Sequence, residues 1–122
     1  MTQPLALIFY QKLLPGSTLA NRLRDLNYRV HAVNSLEDFV TVAHSEGPMV
    51  LVVDLNGDMD EANAAIRNLR ADPRTAHVPL LAFAEEDSRQ TAARTAGATL
   101  ATSDAAINSH LEQLLEQVLR ID

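Results

Sequence analysis

The feature that most constrains this chain is an alternation: apolar runs of strand length separated by longer segments of helical period, five times over. Leu5–Tyr10 (LALIFY) is continuously apolar, as a strand covered on both faces must be. A Pro15-Gly16-Ser17 break follows, and then Leu19, Ala20, Leu23 and Leu26 recur at helical spacing. Tyr28–Val33 alternates apolar and polar residues, which predicts a strand nearer an edge. Ser35 suits an N-cap, with Glu37 and Asp38 in the first turn and Leu36, Phe39, Val40 and Ala43 along one face, until Gly47-Pro48 closes the helix. Met49–Asp54 is the most apolar strand. Asp58 then caps a helix bearing Ala62, Ala65, Ile66 and Leu69, which Asp72-Pro73 ends. Val78–Phe83 reads as strand, Glu86–Ala96 as a helix stopped by Gly97, and Ala98–Thr102 as a short strand. A last helix aligns Ile107, Leu111, Leu114, Leu115 and Val118.

Strands joined by single helices run parallel, and right-handed crossovers place helices on both faces. The pattern therefore predicts an α/β chain with a doubly wound five-stranded parallel sheet, (βα)5, in three αβα layers. At 122 residues, 47% hydrophobic, the chain reads as one domain over 1–122 with a sizeable core. It has no cysteine, which removes disulfides, thiolate zinc sites and cysteine nucleophiles together. A net charge of −6 with scattered basic residues argues against nucleic acid as a partner. No apolar run reaches the length of a membrane span, and the N-terminus lacks a basic leader and a cleavage site. The expected location is cytoplasmic, with no membrane partner.

In such sheets function gathers at the carboxyl ends of the strands. Asp54 stands at one of them, where a carboxylate costs desolvation energy unless it is compensated. Asp58 and Asp60 follow in the same loop, but suit a helix cap and a first-turn acid better than metal ligands. Glu85-Glu86-Asp87 reads as a solvated helix start. His31, His44, His77 and His110 have no ligand spacing, Ser17, Ser35, Ser88 and Ser103 suit caps and turns, and no nucleophile elbow, phosphate loop or dinucleotide fingerprint is present.

The strand VLVVD ending in Asp54, the segment LRADPRTAHVPLLAF, and Ala96-Gly97-Ala98 before the fifth strand resemble, in that order, a response-regulator receiver domain. The resemblance runs along essentially the whole chain and implies a CheY-like, flavodoxin-like fold. It implies phosphoryl transfer to the aspartate ending the third strand, here Asp54. It also implies magnesium held by two acids after the first strand, a Ser or Thr after the fourth, a Lys after the fifth, and an aromatic switch residue in the fifth.

Carried over position by position, the acid pair falls on Tyr10 and Gln11 and the hydroxyl on Ala84. The lysine falls on Asp104, or on Ser103 with a one-residue slip, and the aromatic on Ala101. Asp54 remains, with Asn56, whose backbone carbonyl would be a metal ligand in the family. Magnesium needs oxygen ligands that usually include one or two carboxylates, and phosphoryl transfer needs that metal and cations. The expectation is a degenerate pseudo-receiver: no enzyme, no cofactor and no metal, with Tyr10 filling the emptied site or packing beside Leu13 or Leu14.

Such a domain would act by binding other signalling proteins, and no output domain follows within the 122 residues. The resemblance implies docking, or homodimerisation, through the fourth helix, fifth strand and fifth helix: Asp87–Ala96, Ala98–Thr102 and Asp104–Arg120. Arg89, Arg94, Glu112 and Glu116 are the expected rim of that face. The alternative is a working two-component phosphorelay receiver, phosphorylated on Asp54 with an atypical magnesium site. A small-molecule site at the strand ends is a third reading.

Overall fold

The computed structural model describes residues 3–11 and 13–120, apart from the side chains of residues 13–16 and 120. Its elements are β1 (Leu5–Phe9), α1 (Leu13–Asp25), β2 (Arg29–Val33), α2 (Leu36–Glu46), β3 (Val50–Asp54), α3 (Met59–Ala71), β4 (Leu80–Phe83), α4 (Asp87–Ala96), β5 (Leu100–Thr102), α5 (Asp104–Ser109) and α6 (Leu111–Arg120). The strands form one five-stranded sheet in the order β2-β1-β3-β4-β5, every pairing parallel. This is the doubly wound, flavodoxin-like αβα arrangement that the alternation predicts. β2 lies at an edge, as its mixed polarity requires.

Strand pleating sorts the core into two layers. Leu7, Phe9, Leu51, Val53, Leu80 and Ala82 meet Phe39 of α2, Ile66 and Leu69 of α3, and Ala93 and Ala96 of α4. Ala6, Ile8, Val50, Val52, Leu81 and Phe83 meet Leu19 and Leu23 of α1, Ile107 of α5, and Leu111, Leu115 and Val118 of α6. Phe39 is fully buried, its ring edge-on to Phe9 at 6.3 Å. Burying a side chain of that size contributes about 1.5–3 kcal/mol. The layer beneath α4 is methyl-lined: Ala82, Ala84, Ala93, Ala96, Ala98 and Ala101 all belong to it. α1 and α3 thus leave the sheet on opposite faces, and Asp54 ends β3 where they diverge.

The caps follow the sequence closely. Ser35 accepts from the Asp38 N–H and Asp58 from the Glu61 N–H, both at 3.1 Å. Gly97 ends α4 at φ +130°, a conformation that favours glycine. A Cβ there would also fall 2.6 Å from Arg70 Cγ. The Arg70 side chain crosses that glycine to donate to the carbonyls of Gly97 (2.8 Å), Val78 (2.7 Å) and Ala76 (3.1 Å). Arg94 of α4 donates to the Ala101 carbonyl of edge strand β5 at 3.1 Å.

Two expectations change. Pro15-Gly16-Ser17 lies within α1, because a proline in a first turn gives up an N–H that has no helical partner anyway. The last helix divides at His110 (φ −128°, ψ 30°) into α5 and α6. The Asn108 carbonyl, which a continuous helix would bond internally, instead accepts from the Arg22 guanidinium of α1 at 2.6 Å.

Candidate functional site at the end of β3

Asp54 is 5% exposed, and its carboxylate is compensated by three N–H donors. Oδ1 accepts from the Asn56 backbone at 2.8 Å and from Asn56 Nδ2 at 2.9 Å, while Oδ2 accepts from the Gln11 backbone at 3.2 Å. Local sequence accounts for this: an Asx residue commonly bonds the backbone two positions on. Pairing with Phe83 of β4 fixes the Asp54 backbone at the sheet end.

Asn56 extends the network. Its Nδ2 also lies 3.3 Å from both carboxylate oxygens of Asp104, and its Oδ1 accepts from the Glu85 backbone at 3.3 Å. One carboxamide therefore touches β3, the turn after β4 and the start of α5. Arg89 reaches the same loop from α4, donating from one nitrogen to the carbonyls of Leu55 (2.7 Å) and Gly57 (2.6 Å). Its Nε lies 3.4 Å from Glu86. The Gln11 side chain lies across Gly57, so that a Cβ at Gly57 would collide with its carboxamide.

The remaining predicted positions are placed as follows. Tyr10 is half-buried against the layer that holds Ile8 and Leu19, and it walls a cleft of about 540 Å³ with Gln11, His31, Asn34 and Asp38. The side chains of Leu13 and Leu14, its alternative neighbours, lie outside the described residues. Ala84 is buried; its N–H donates to Thr102, and its carbonyl accepts from Gln90 Nε2 at 2.9 Å. Ala101 is buried opposite Ala82. Ser103 caps α5, accepting from the Ala106 N–H at 3.0 Å. Asp104 faces Asn56.

The four rim residues do not share one surface. Arg89 turns into the Asp54 loop, and Arg94 lies along β5. Glu112 and Glu116 line a cleft of about 190 Å³ with Leu26, Tyr28, Leu115 and Leu119, on the flank of α6 that faces the end of α1. Helical periodicity alone does not say which flank of α6 meets α4 and which meets α1.

A magnesium ion would take six oxygens, usually including one or two protein carboxylates. Here both Asp54 oxygens accept N–H bonds, and an amide lies between Asp54 and Asp104. Among the described residues, no three His, Cys, Asp or Glu side chains are grouped to hold a metal ion. These residues do not fit the ion. Asn56 and Arg89 are the side chains whose part in the site the sequence did not disclose. The Asp-x-Asn spacing was the one available signal, and only for Asn56.

No family model matches the chain, and no curated protein matches it. Solved structures do. Chemotaxis response regulator CheY4 of Vibrio cholerae superposes with TM-score 0.84 at 17% identity, covering 97% of this chain and 100% of that one. The receiver domain of a sensor histidine kinase from Pseudomonas aeruginosa, with magnesium coordinated in its active-site cleft, gives 0.87 at 18% identity over 98% and 99%. A response regulator from Desulfuromonas acetoxidans gives 0.80 at 15% identity over 98% of each chain. Five parallel strands in the order β2-β1-β3-β4-β5, with Asp54 closing the central one, carry the fold of response-regulator receiver domains.

Proposed function

We propose that this chain is a receiver-like signalling domain, one unit over residues 1–122, that acts in the cytoplasm by binding other signalling proteins without efficient phosphorylation of Asp54. It works as a binding module, with no cofactor and no catalysis of its own. The observation that carries this reading is the bonding of Asp54: three N–H donors already occupy its two oxygens. A phosphoryl acceptor needs an oxygen free to attack and positive charge to offset the incoming group. At the positions where receivers hold magnesium and place a lysine this chain offers Tyr10, Gln11 and Asp104, and Ala84 has no hydroxyl to give.

Docking, or self-association, would use α4, β5 and the helices that follow, with Arg94 at its margin. Among the described residues Met49, on the far side of the sheet's ends, is the one large apolar side chain that stands well exposed, so this face is polar. It would recognise a partner by hydrogen bonds and charge more than by apolar burial. No helix of the structure is long and apolar enough to cross a membrane.

The test is incubation with acetyl phosphate, or beryllofluoride, in magnesium, read by intact mass and by the spectrum of the folded protein. The expected result is no stoichiometric adduct. An adduct that forms stoichiometrically and disappears in Asp54→Asn would establish the alternative, a working phosphorelay receiver with an unorthodox metal site.

A further inference from the structure

We propose that the groove between α2 and α3 is a docking site for a basic amphipathic helix of a partner protein. The inference rests on the binding-module reading above, and it adds a second face to the one formed by α4 and β5.

The groove has a volume of about 560 Å³, and Leu36, Val40 and Ala65 give it an apolar floor. Thr41 and Ala64 form exposed walls. Leu36 and Val40 are only partly buried against the core, so part of each still meets water. A partner that covers them removes that apolar surface from water. Asn68 Oδ1 meets His44 Nε2 at 3.3 Å, which joins the two walls at the far end.

α2 and α3 both follow parallel strands of one sheet, so both begin at its carboxyl end. The acids of their first turns, Glu37 and Asp38 on α2 and Asp60 and Glu61 on α3, therefore gather at one end of the groove. Each favours its own helix N-terminus, a role that needs no apolar channel between them. Glu37 and Glu61 line the channel directly, and no basic side chain does. Among the described residues neither is held in an ion pair.

Charge decides the occupant. The chain carries a net charge of −6, so a two-fold dimer through this groove would set acid against acid. The phosphates of nucleic acid or of a lipid surface would be repelled in the same way. A partner helix with apolar residues at i and i+4 fills a channel between two helices, and Lys or Arg on its flanks meets Glu37 and Glu61.

The experiment is titration of the full chain, without phosphoryl donor, by a synthetic amphipathic peptide about 18 residues long with Leu on one face and Lys on its flanks. Amide NMR shifts locate it, and fluorescence anisotropy of the labelled peptide gives its affinity. Shifts should saturate and centre on Val40, Thr41 and Ala64. Glu61→Lys should weaken binding about fivefold or more. Ala64→Gln, which puts bulk into the channel without charge, should weaken it as well. Glu112→Lys makes the same charge change on α6 and should stay within about twofold of wild type, the share left to long-range charge. Circular dichroism establishes that the variants fold, and the wild-type shift map tests the site without them. Shifts centred elsewhere, no saturation, or a loss in Glu112→Lys equal to that in Glu61→Lys would overturn the inference. Concentration-dependent shifts in the groove without peptide would make a second copy its occupant and overturn it equally. A phosphoryl adduct on Asp54 would strike the reading beneath instead, and it shows in the mass of the protein, not in these titrations.

Discussion

Arg89 and Gly57 are joined by a 2.6 Å hydrogen bond from guanidinium to carbonyl, which ties the first turn of α4 to the loop after Asp54. A cation that a polar helix would ordinarily hold in water is turned inward and is only partly exposed. The loop and the helix are thereby linked through one side chain.

Breaking this tie gives the first prediction. Arg89→Gln should lower unfolding free energy in urea by about 1–2 kcal/mol, the worth of charge-assisted bonds at a partly exposed site. Arg89→Lys should recover only part of it, because an ammonium on a flexible stem lacks the planar fork. Amide exchange at Asn56–Asp58 should quicken in both.

The second concerns Asp54 itself. Asp54→Ala leaves the N–H groups of Gln11 and Asn56 without their acceptor near a buried position. A loss of about 1–3 kcal/mol is expected in chemical denaturation. Asp54→Asn keeps one acceptor oxygen and should lose less. A structural acid predicts this order, whatever phosphoryl donors do.

The third tests Arg70 against Gly97. Burial pushes the Arg70 guanidinium below its ordinary range, and its carbonyl partners keep it satisfied. Gly97→Ala should cost about 1–3 kcal/mol through its positive φ and its collision with Arg70. Arg70→Met should cost about 2–3 kcal/mol. The double variant should cost less than the sum, since removing the arginine removes the collision.

The fourth is a pH dependence. Arg74 donates to Asp72 from its side chain at 2.7 and 3.1 Å and from its backbone at 2.8 Å, holding that carboxyl well below the usual carboxylate range. A depressed carboxyl stabilises the fold above its unfolded-state pKa, and that stability is lost as pH falls toward the folded value. Wild type should exceed Asp72→Asn in melting temperature at neutral pH, and the gap should narrow as pH drops below about 4. A gap unchanged down to pH 2 would contradict it, as ~2 lies well below the unfolded carboxylate range.

The fold was legible because burial on both faces writes itself into continuous apolar strands, and one-sided burial into helical stripes. LALIFY and MVLVVD say as much unaided. The break at His110 was not legible, since the partner of the Asn108 carbonyl freed there is Arg22, eighty-six positions away. The same reason hides the site. Asp54 announces itself by ending a buried strand, and Asp58 and Ser35 by their spacing to the next helix. Arg89 looks like any arginine on a polar helix until the packing of α4 shows which way it points. Glu112 and Glu116 share one stripe with Leu119, but the neighbour that stripe meets is set by the tertiary arrangement.

The methyl-lined layer under α4 has a consequence for how this molecule could carry information. Ala82, Ala84, Ala93, Ala96, Ala98 and Ala101 have no side-chain torsion that moves a heavy atom. An aromatic ring in β5 could flip between two orientations and leave the backbone where it was. A methyl group offers no second orientation. Side-chain reorientation between α4 and the loop after Asp54 is open only outside this layer, at residues such as Arg89. A change passing through the layer would have to be displacement of the helix itself, a lever rather than a latch.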